Sequence, residues 1–119
     1  MGEYPLKDRT KALALRIIRL VESMPPGETG RVIGKQLLRS GTSIRANYRA
    51  SLRAKSRADM LNKWKIVEEE ADETLYWLEL LVESRMISET KLKPLMTEVD
   101  EILAMVIASI NTLRRSEHS

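Results

Sequence analysis

Several residue types on which protein chemistry often depends are rare or absent in this sequence. It has no cysteine, and its single histidine is His118. Without cysteine, the chain can form neither a disulfide framework nor a thiolate metal site. A haem-binding or ferritin-like bundle would need histidine in its helix seams, as an axial ligand or in a Glu-x-x-His pair, and none is found there. We therefore predict that the protein holds no metal and no cofactor.

The sequence also lacks the combination of residues that nucleophilic catalysis needs. Ser40, Ser43 and Ser51 have no histidine to act as their base. The glycines between Gly27 and Gly34 do not follow a strand, as those of a phosphate-binding loop would. The acidic run Glu68–Glu73 points around most of a helix circumference, so it cannot converge on one ion. We predict that the protein is not an enzyme.

Aromatic residues and long apolar runs are also scarce. Aromatic residues make up only 4% of the chain, so the core must be aliphatic. The longest uncharged run, Ile102 to Leu113, is shorter than the roughly 20 residues of a membrane-spanning helix. The first residues are charged and lack the apolar core of a signal peptide. We expect a cytoplasmic protein with one domain over residues 1–119.

Apolar residues recur at steps of three and four, which is typical of amphipathic helices. The pattern predicts four helices over about residues 6–24, 29–54, 57–85 and 89–113. Pro25-Pro26-Gly27 ends the first helix, and Ser56-x-x-Asp59 resembles a capping box that opens the third. There is no strand pattern. Four helices with short connections predict an all-α, antiparallel up-down-up-down four-helix bundle.

Charges are distributed very unevenly along the chain. Residues 31–65 contain ten basic residues and one acidic residue, a net charge of +9, whereas residues 66–101 contain three basic and eleven acidic residues, a net charge of −8. At 100° per residue, six cations of the second helix fall on one stripe opposite its apolar side. These six are the candidate nucleic-acid contacts: Arg31, Lys35, Arg39, Arg45, Arg49 and Arg53.

This basic stripe has two interpretations that the sequence leaves open. Cations spaced four residues apart can follow the phosphate backbone of RNA or DNA and supply affinity without reading sequence. Alternatively, the stripe pairs with acidic residues of the third helix or of a neighbouring subunit. No aromatic residue interleaves with the stripe, so stacking on single-stranded bases is not indicated.

The second and third helices carry further signals. Gly41 lies on the apolar side of the second helix, which predicts a close approach to another helix. The third helix has a heptad seam that includes Trp64 and Leu78. On its other side lies a second apolar group that favours self-association. This candidate oligomer interface consists of Ile66, Tyr76, Trp77 and Leu80. The alternative is that Trp77 is buried at the margin of the bundle.

The stretch from Gly34 to Ala50, GKQLLRSGTSIRANYRA, resembles bacterial four-helix-bundle proteins of the 23S ribosomal RNA intervening-sequence family. The run IVEEEADETLYWLELL, from Ile66 to Leu81, is similar to the third helix of one branch of that family. The resemblance covers nearly the whole chain. Where much of the family has Asn-Ile-Ala-Glu-Gly, this chain has Asn47-Tyr48-Arg49-Ala50-Ser51, which indicates a side branch.

The resemblance implies a bundle that assembles into a pentameric ring. One relative, the accessory variability determinant of diversity-generating retroelements, binds nucleic acid and a reverse transcriptase through a basic surface. For this chain it implies an oligomeric, nucleic-acid-binding accessory protein, with a reverse transcriptase as partner by resemblance only. The positions that it carries over are Arg39, Arg45, Arg49 and Arg53, with Lys35 nearby. The alternative is a protein-interaction scaffold whose basic and acidic faces pair between subunits.

Overall fold

The computed structural model describes residues 3–118, with side chains from residue 5 to residue 116. These residues form four helices and no strand: α1 (Glu3–Glu22), α2 (Glu28–Ser51), α3 (Arg57–Glu83) and α4 (Glu89–His118). Five residues separate each helix from the next, and they span at most roughly 18 Å. Since that is shorter than any of the helices, consecutive helices are antiparallel. The predicted all-α, up-down-up-down bundle is confirmed.

The helices begin and end where the sequence gives a local reason. Pro25 and Pro26 have no N–H to continue α1, and Gly27 takes a positive φ of 129° before α2 begins. At the start of α3, the Ser56 hydroxyl accepts a hydrogen bond from the Asp59 N–H at 3.0 Å. The Asp59 carboxylate accepts one from the Lys55 N–H at 3.1 Å. Ser56 is therefore the predicted cap.

A Schellman turn ends α3. The Met86 N–H donates to the Leu81 carbonyl at 3.1 Å, and the Arg85 N–H donates to the Val82 carbonyl at 3.0 Å. Arg85 has a φ of 64°, in the left-handed region where glycine is usual. The turn reverses the chain, and α4 starts four residues later.

The bundle is elongated, with principal extents of 51 × 23 × 19 Å. Helix α2 lies between α1 and α3, and α4 completes the bundle by packing against α3 and α1. Aliphatic residues from all four helices form the core, and Tyr48 is the one fully buried aromatic side chain among the residues with described side chains. The outer side of α2 is therefore bordered by α1 on one edge and by α3 on the other.

Gly41 marks the close approach between α1 and α2. A Cβ atom at this position would lie 2.8 Å from Cγ1 and 2.9 Å from Cγ2 of Ile17, closer than side chains tolerate. The predicted compensation for a glycine inside this helix is confirmed.

Helix α4 is longer than its apolar pattern predicts. It continues to His118 instead of ending near residue 113. Leu113 is buried, and neither glycine nor proline follows it to stop the helix. Within residues 3–118, no helix combines the length and the apolar character needed to cross a membrane.

Candidate nucleic-acid interface

Five of the six predicted contact residues lie on the outer side of α2. Arg39 and Arg45 are about 120° apart around the helix axis, as their spacing of six residues requires. Arg39 is turned toward α3 and Arg45 toward α1. Lys35 and Arg49 are exposed between these edges, and Arg53 follows the end of α2 in the connection to α3. The stripe thus covers the whole outer side of α2.

Arg39 is already neutralised by α3. Its Nη1 lies 3.2 and 3.1 Å from the two carboxylate oxygens of Glu70, and its Nη2 donates to Glu73. The hydrogen bonds with Glu73 and then Glu70 raise the pKa of Arg39 above its ordinary value. In return, the hydrogen bond from Arg39, followed by that from Trp77, holds the pKa of Glu73 below its ordinary range. Arg39 is therefore paired within the bundle, and its role as a nucleic-acid contact stays a prediction.

The other cations differ in what they contact. The Arg45 Nη1 donates to the carbonyl oxygen of Lys7 at 2.6 Å, an uncharged acceptor that leaves the positive charge in place. Arg31 pairs with Glu28 one turn earlier on the same helix, and both side chains are largely exposed. An exposed pair of this kind is weak and easily exchanged for another anion.

Lys35, Arg49 and Arg53 are exposed and form no ion pair within the part of the chain that the structure describes. Lys7 and Lys11 add to them from α1, where both are exposed and lie one helical turn apart. The Arg45 bond to the Lys7 carbonyl places the main chain of α1 at Lys7 beside α2, and Lys11 follows one turn later. We call the combined surface the α1–α2 basic face: Lys7, Lys11, Lys35, Arg45, Arg49 and Arg53.

The α1 lysines are functional candidates that the sequence pattern missed. Lys7 and Lys11 are exposed and four residues apart on α1, and the Lys7 carbonyl accepts a hydrogen bond from Arg45 of α2. The only signal in the sequence was this spacing, and it does not show which helix lies alongside. The packing of α1 against α2 is what joins their charges to those of Arg45 and Arg49.

The four residues of the predicted oligomer interface on α3 differ in how far their side chains are exposed. Tyr76 is 51% exposed, and its ring lies edge-on to Trp77 with 4.8 Å between the ring centroids. Trp77 is half-buried against the core and donates from Nε1 to Glu73 at 3.1 Å. Ile66 and Leu80 are half-buried. Trp77 thus lies at the margin of the bundle, the alternative left open by the sequence, and Tyr76 is the most exposed member of the group.

The three serines considered above as nucleophiles, Ser40, Ser43 and Ser51, form hydrogen bonds with neighbouring residues of the bundle. The Thr74 hydroxyl donates to the Ser40 hydroxyl at 2.9 Å, and both residues are fully buried. The Ser43 hydroxyl lies 3.3 Å from a carboxylate oxygen of Glu70. The Ser51 hydroxyl donates to the Tyr48 carbonyl and accepts a bond from the Trp64 Nε1 at 3.1 Å. Within the described residues, no group of three or more His, Cys, Asp or Glu side chains is placed to hold a metal ion.

Comparisons with known proteins agree with this architecture. A family model described as "23S rRNA-intervening sequence protein" matches residues 4–108. One solved structure, a protein of unknown function from the S23 ribosomal protein family of Bacteroides thetaiotaomicron VPI-5482, is 39% identical in sequence. The match covers 93% of this chain and 99% of that chain, with a TM-score of 0.88. No functionally curated protein matches the sequence.

Proposed function

This chain belongs to the 23S rRNA-intervening sequence protein family, and from this premise we propose that it is a non-enzymatic accessory protein that binds nucleic acid. The proposed contact surface is the α1–α2 basic face. Its cations bind the phosphate backbone of RNA or DNA, which supplies affinity but little sequence preference.

The observation that carries the proposal is the incomplete neutralisation of α2. The acidic residues of α3 reach Arg39 but no other cation of the stripe, within the part of the chain that the structure describes. Lys35 and Arg49 remain exposed, and Arg45 is bonded to a neutral carbonyl. Several unpaired cations on one surface repel one another, and a polyanion relieves that repulsion.

The dimensions of the basic face suit an extended polyanion. Lys35 and Arg49 are 14 residues apart, which corresponds to about 21 Å along the helix. Lys7 and Lys11 widen the surface across the α1–α2 boundary. Such a surface can contact several phosphates at once, so that affinity falls steeply as salt increases.

A charge-reversal experiment tests the proposal. Fluorescence anisotropy with labelled RNA and DNA would be measured over a series of salt concentrations for the wild type and for Lys35→Glu combined with Arg49→Glu. We expect the variant to bind at least about tenfold more weakly. Its salt slope should fall by about two, one for each phosphate that is no longer bound.

The matched control is Lys91→Glu combined with Lys93→Glu. These exposed lysines at the start of α4 give the same change in net charge on another part of the molecule. We expect this control to change the affinity much less. Equal losses in the two variants would show a general charge effect, and no loss in the first variant would exclude the basic face as the binding surface.

A second candidate function is a homo-oligomeric interaction scaffold, favoured by the exposed ring of Tyr76 beside Trp77 on an acidic helix. Here the acidic outer side of α3 in one subunit would meet cations of the next. Light scattering would give the subunit number, and Tyr76→Asp should dissociate the oligomer. Retention of nucleic-acid binding by the dissociated variant would separate the two functions.

A further inference from the structure

A groove lies between the start of α3 and the end of α4, outside the basic face. Its volume is about 420 Å³, within the range of about 300–1,000 Å³ of small-molecule sites. The residues lining it include Arg57, Trp64, Ala108, Ser109 and Thr112. It therefore combines a cation, a large aromatic ring and hydroxyl groups in one concave surface.

Trp64 is held in place at this groove. Its Nε1 donates to the Ser51 hydroxyl at 3.1 Å, and the ring packs partly against the hydrophobic core. An aromatic ring fixed in this way offers a contact surface without losing side-chain freedom on binding. The bond to Ser51, the last residue of α2, also ties the ring to the end of the basic helix.

The charged side chain described in the lining of the groove, Arg57, is a cation. Arg57 reaches across to α4 and donates to the Ser116 hydroxyl at 2.8 Å. Arg115 donates to the Thr112 hydroxyl at 3.4 Å. Among the residues whose side chains the structure describes, none that lines the groove is acidic. An aromatic ring among cations matches the combination that single-strand-binding surfaces use, in which bases stack on rings and phosphates contact the cations.

The connection between α2 and α3 carries cations from the end of the basic face to the start of α3. Arg49 lies at the end of α2, Arg53 and Lys55 lie in the connection, and Arg57 is the first residue of α3. A strand bound at Arg49 and Arg53 would reach Arg57 and Trp64 by passing over this cationic connection at the end of the bundle. The basic stripe on α2 contains no aromatic residue. The assembled surface does contain one, because α3 supplies the ring of Trp64.

From these observations we propose that the groove receives an unpaired base of the strand bound by the basic face. The base contacts Trp64, and its flanking phosphate contacts Arg57. This inference rests on the proposed function and narrows it to single-stranded or locally unpaired RNA or DNA. Binding that depends on the presence of bases is therefore its distinguishing property.

The test compares three probes of equal length by fluorescence anisotropy with the full chain. They are a single strand of about 12 nucleotides, the same strand with abasic sites in its centre, and the corresponding duplex. We expect the intact single strand to bind about five- to tenfold more tightly than the abasic strand, which keeps the phosphates but loses the stacking. We expect the duplex to resemble the abasic strand.

Ala108→Leu provides a variant that fills the groove without disturbing the core, because Ala108 is an exposed residue of α4. We expect it to abolish the difference between the intact and abasic strands and to leave the salt slope unchanged. Ala104→Leu is the matched control, since Ala104 is exposed one turn earlier on α4 and does not line the groove. It should behave like the wild type.

Tryptophan fluorescence gives an independent measurement. With Trp77→Phe, Trp64 is the only tryptophan in the chain, and its emission should be quenched by the intact strand but much less by the abasic strand. Salt-dependent binding with no base dependence and no quenching would overturn this inference and leave the proposed function standing. No binding of any probe would overturn both.

Discussion

The outer surfaces of α2 and α3 carry charges of opposite sign and arrange them differently. The cations of α2 are confined to one side, because its other side is apolar and buried. The acidic residues of α3 are spread over its whole circumference except the buried side: Glu70 and Glu73 face α2, whereas Glu69, Asp72 and Glu79 are exposed. The two helices pack together, yet only one cation of the stripe is paired across their boundary within the described residues.

This difference shows that the angular distribution of charge matters more than its amount. An excess of acidic residues next to a basic helix does not neutralise it when few of the carboxylates lie at the shared edge. Ion pairs need distances of about 4 Å, and the charges on the far side of α3 are separated from α2 by the helix itself. The cationic side of α2 therefore stays open to other partners.

The largest expected effect is on the free energy of unfolding, and it distinguishes the buried side of α2 from its outer side. Leu37 is fully buried, whereas its neighbour Leu38 is 37% exposed. We expect Leu37→Ala to lower the free energy of unfolding by about 2–5 kcal/mol, because it leaves a cavity in the core. Leu38→Ala should change it by less than about 1 kcal/mol. Urea denaturation would measure both, and equal losses would contradict the assigned orientation of α2.

A pair of glycines tests the close contact between α1 and α2. Gly41→Ala would place a Cβ atom 2.8 Å from Ile17 Cγ1, whereas at Gly34 the nearest atom, Val21 Cγ1, would lie at 3.4 Å. We expect Gly41→Ala to destabilise the fold by about 1–2 kcal/mol, since crowding exceeds the gain in helix propensity. Gly34→Ala should be neutral or stabilise it by up to about 1 kcal/mol. Thermal unfolding of both variants would show the opposite signs.

The fold could be predicted from the sequence because each helix carries a regular apolar pattern. In α4, for example, the apolar residues that recur at steps of three and four are all buried: Leu92, Leu95, Val99, Ile102, Val106, Ile110 and Leu113. The end of α4 could not be predicted in the same way. Its last residues carry no apolar pattern, and the helix continues because nothing stops it.

The candidate site could be predicted only in part. The spacing of cations on α2 placed Lys35 and Arg49 on one side, and both are exposed there. That spacing could not show where α1 and α3 border the stripe. It therefore could not show that Arg39, unlike the other cations, pairs with carboxylates of α3. Trp64 was predicted as part of the α3 seam, but the structure leaves part of it lining a groove beside α4. Such features depend on packing between helices, which periodicity within one helix does not contain.

The pairing of Arg39 offers a way to enlarge the basic face without adding a charge to α2. Glu70→Gln combined with Glu73→Gln removes the two carboxylates that hold it. If the basic face binds nucleic acid, we expect affinity to rise about three- to tenfold and the salt slope to increase by about one.

The control for this change is Glu69→Gln combined with Asp72→Asn, which gives the same change in net charge at exposed positions of α3 that form no ion pair within the described chain. Anisotropy measurements at several salt concentrations would compare the two. An equal gain in both would mean that reduced overall repulsion, not the release of Arg39, had strengthened binding.

The smallest expected effect concerns the ion pairs at the boundary between α1 and α4. Arg9 binds Glu98 at 2.7 Å and Glu101 at 2.6 Å, and the hydrogen bond from Arg9 is the main cause of a Glu98 pKa below its ordinary value. A carboxylate with a lowered pKa stabilises the fold above its unfolded pKa, and this contribution disappears as the pH falls through its folded pKa. We therefore expect Glu98→Gln to lower the free energy of unfolding by about 1 kcal/mol or less at pH 7 and to have little effect near pH 3. Urea denaturation at both pH values would measure this, and a loss that is equal at both would point to altered packing around Glu98 instead of its charge.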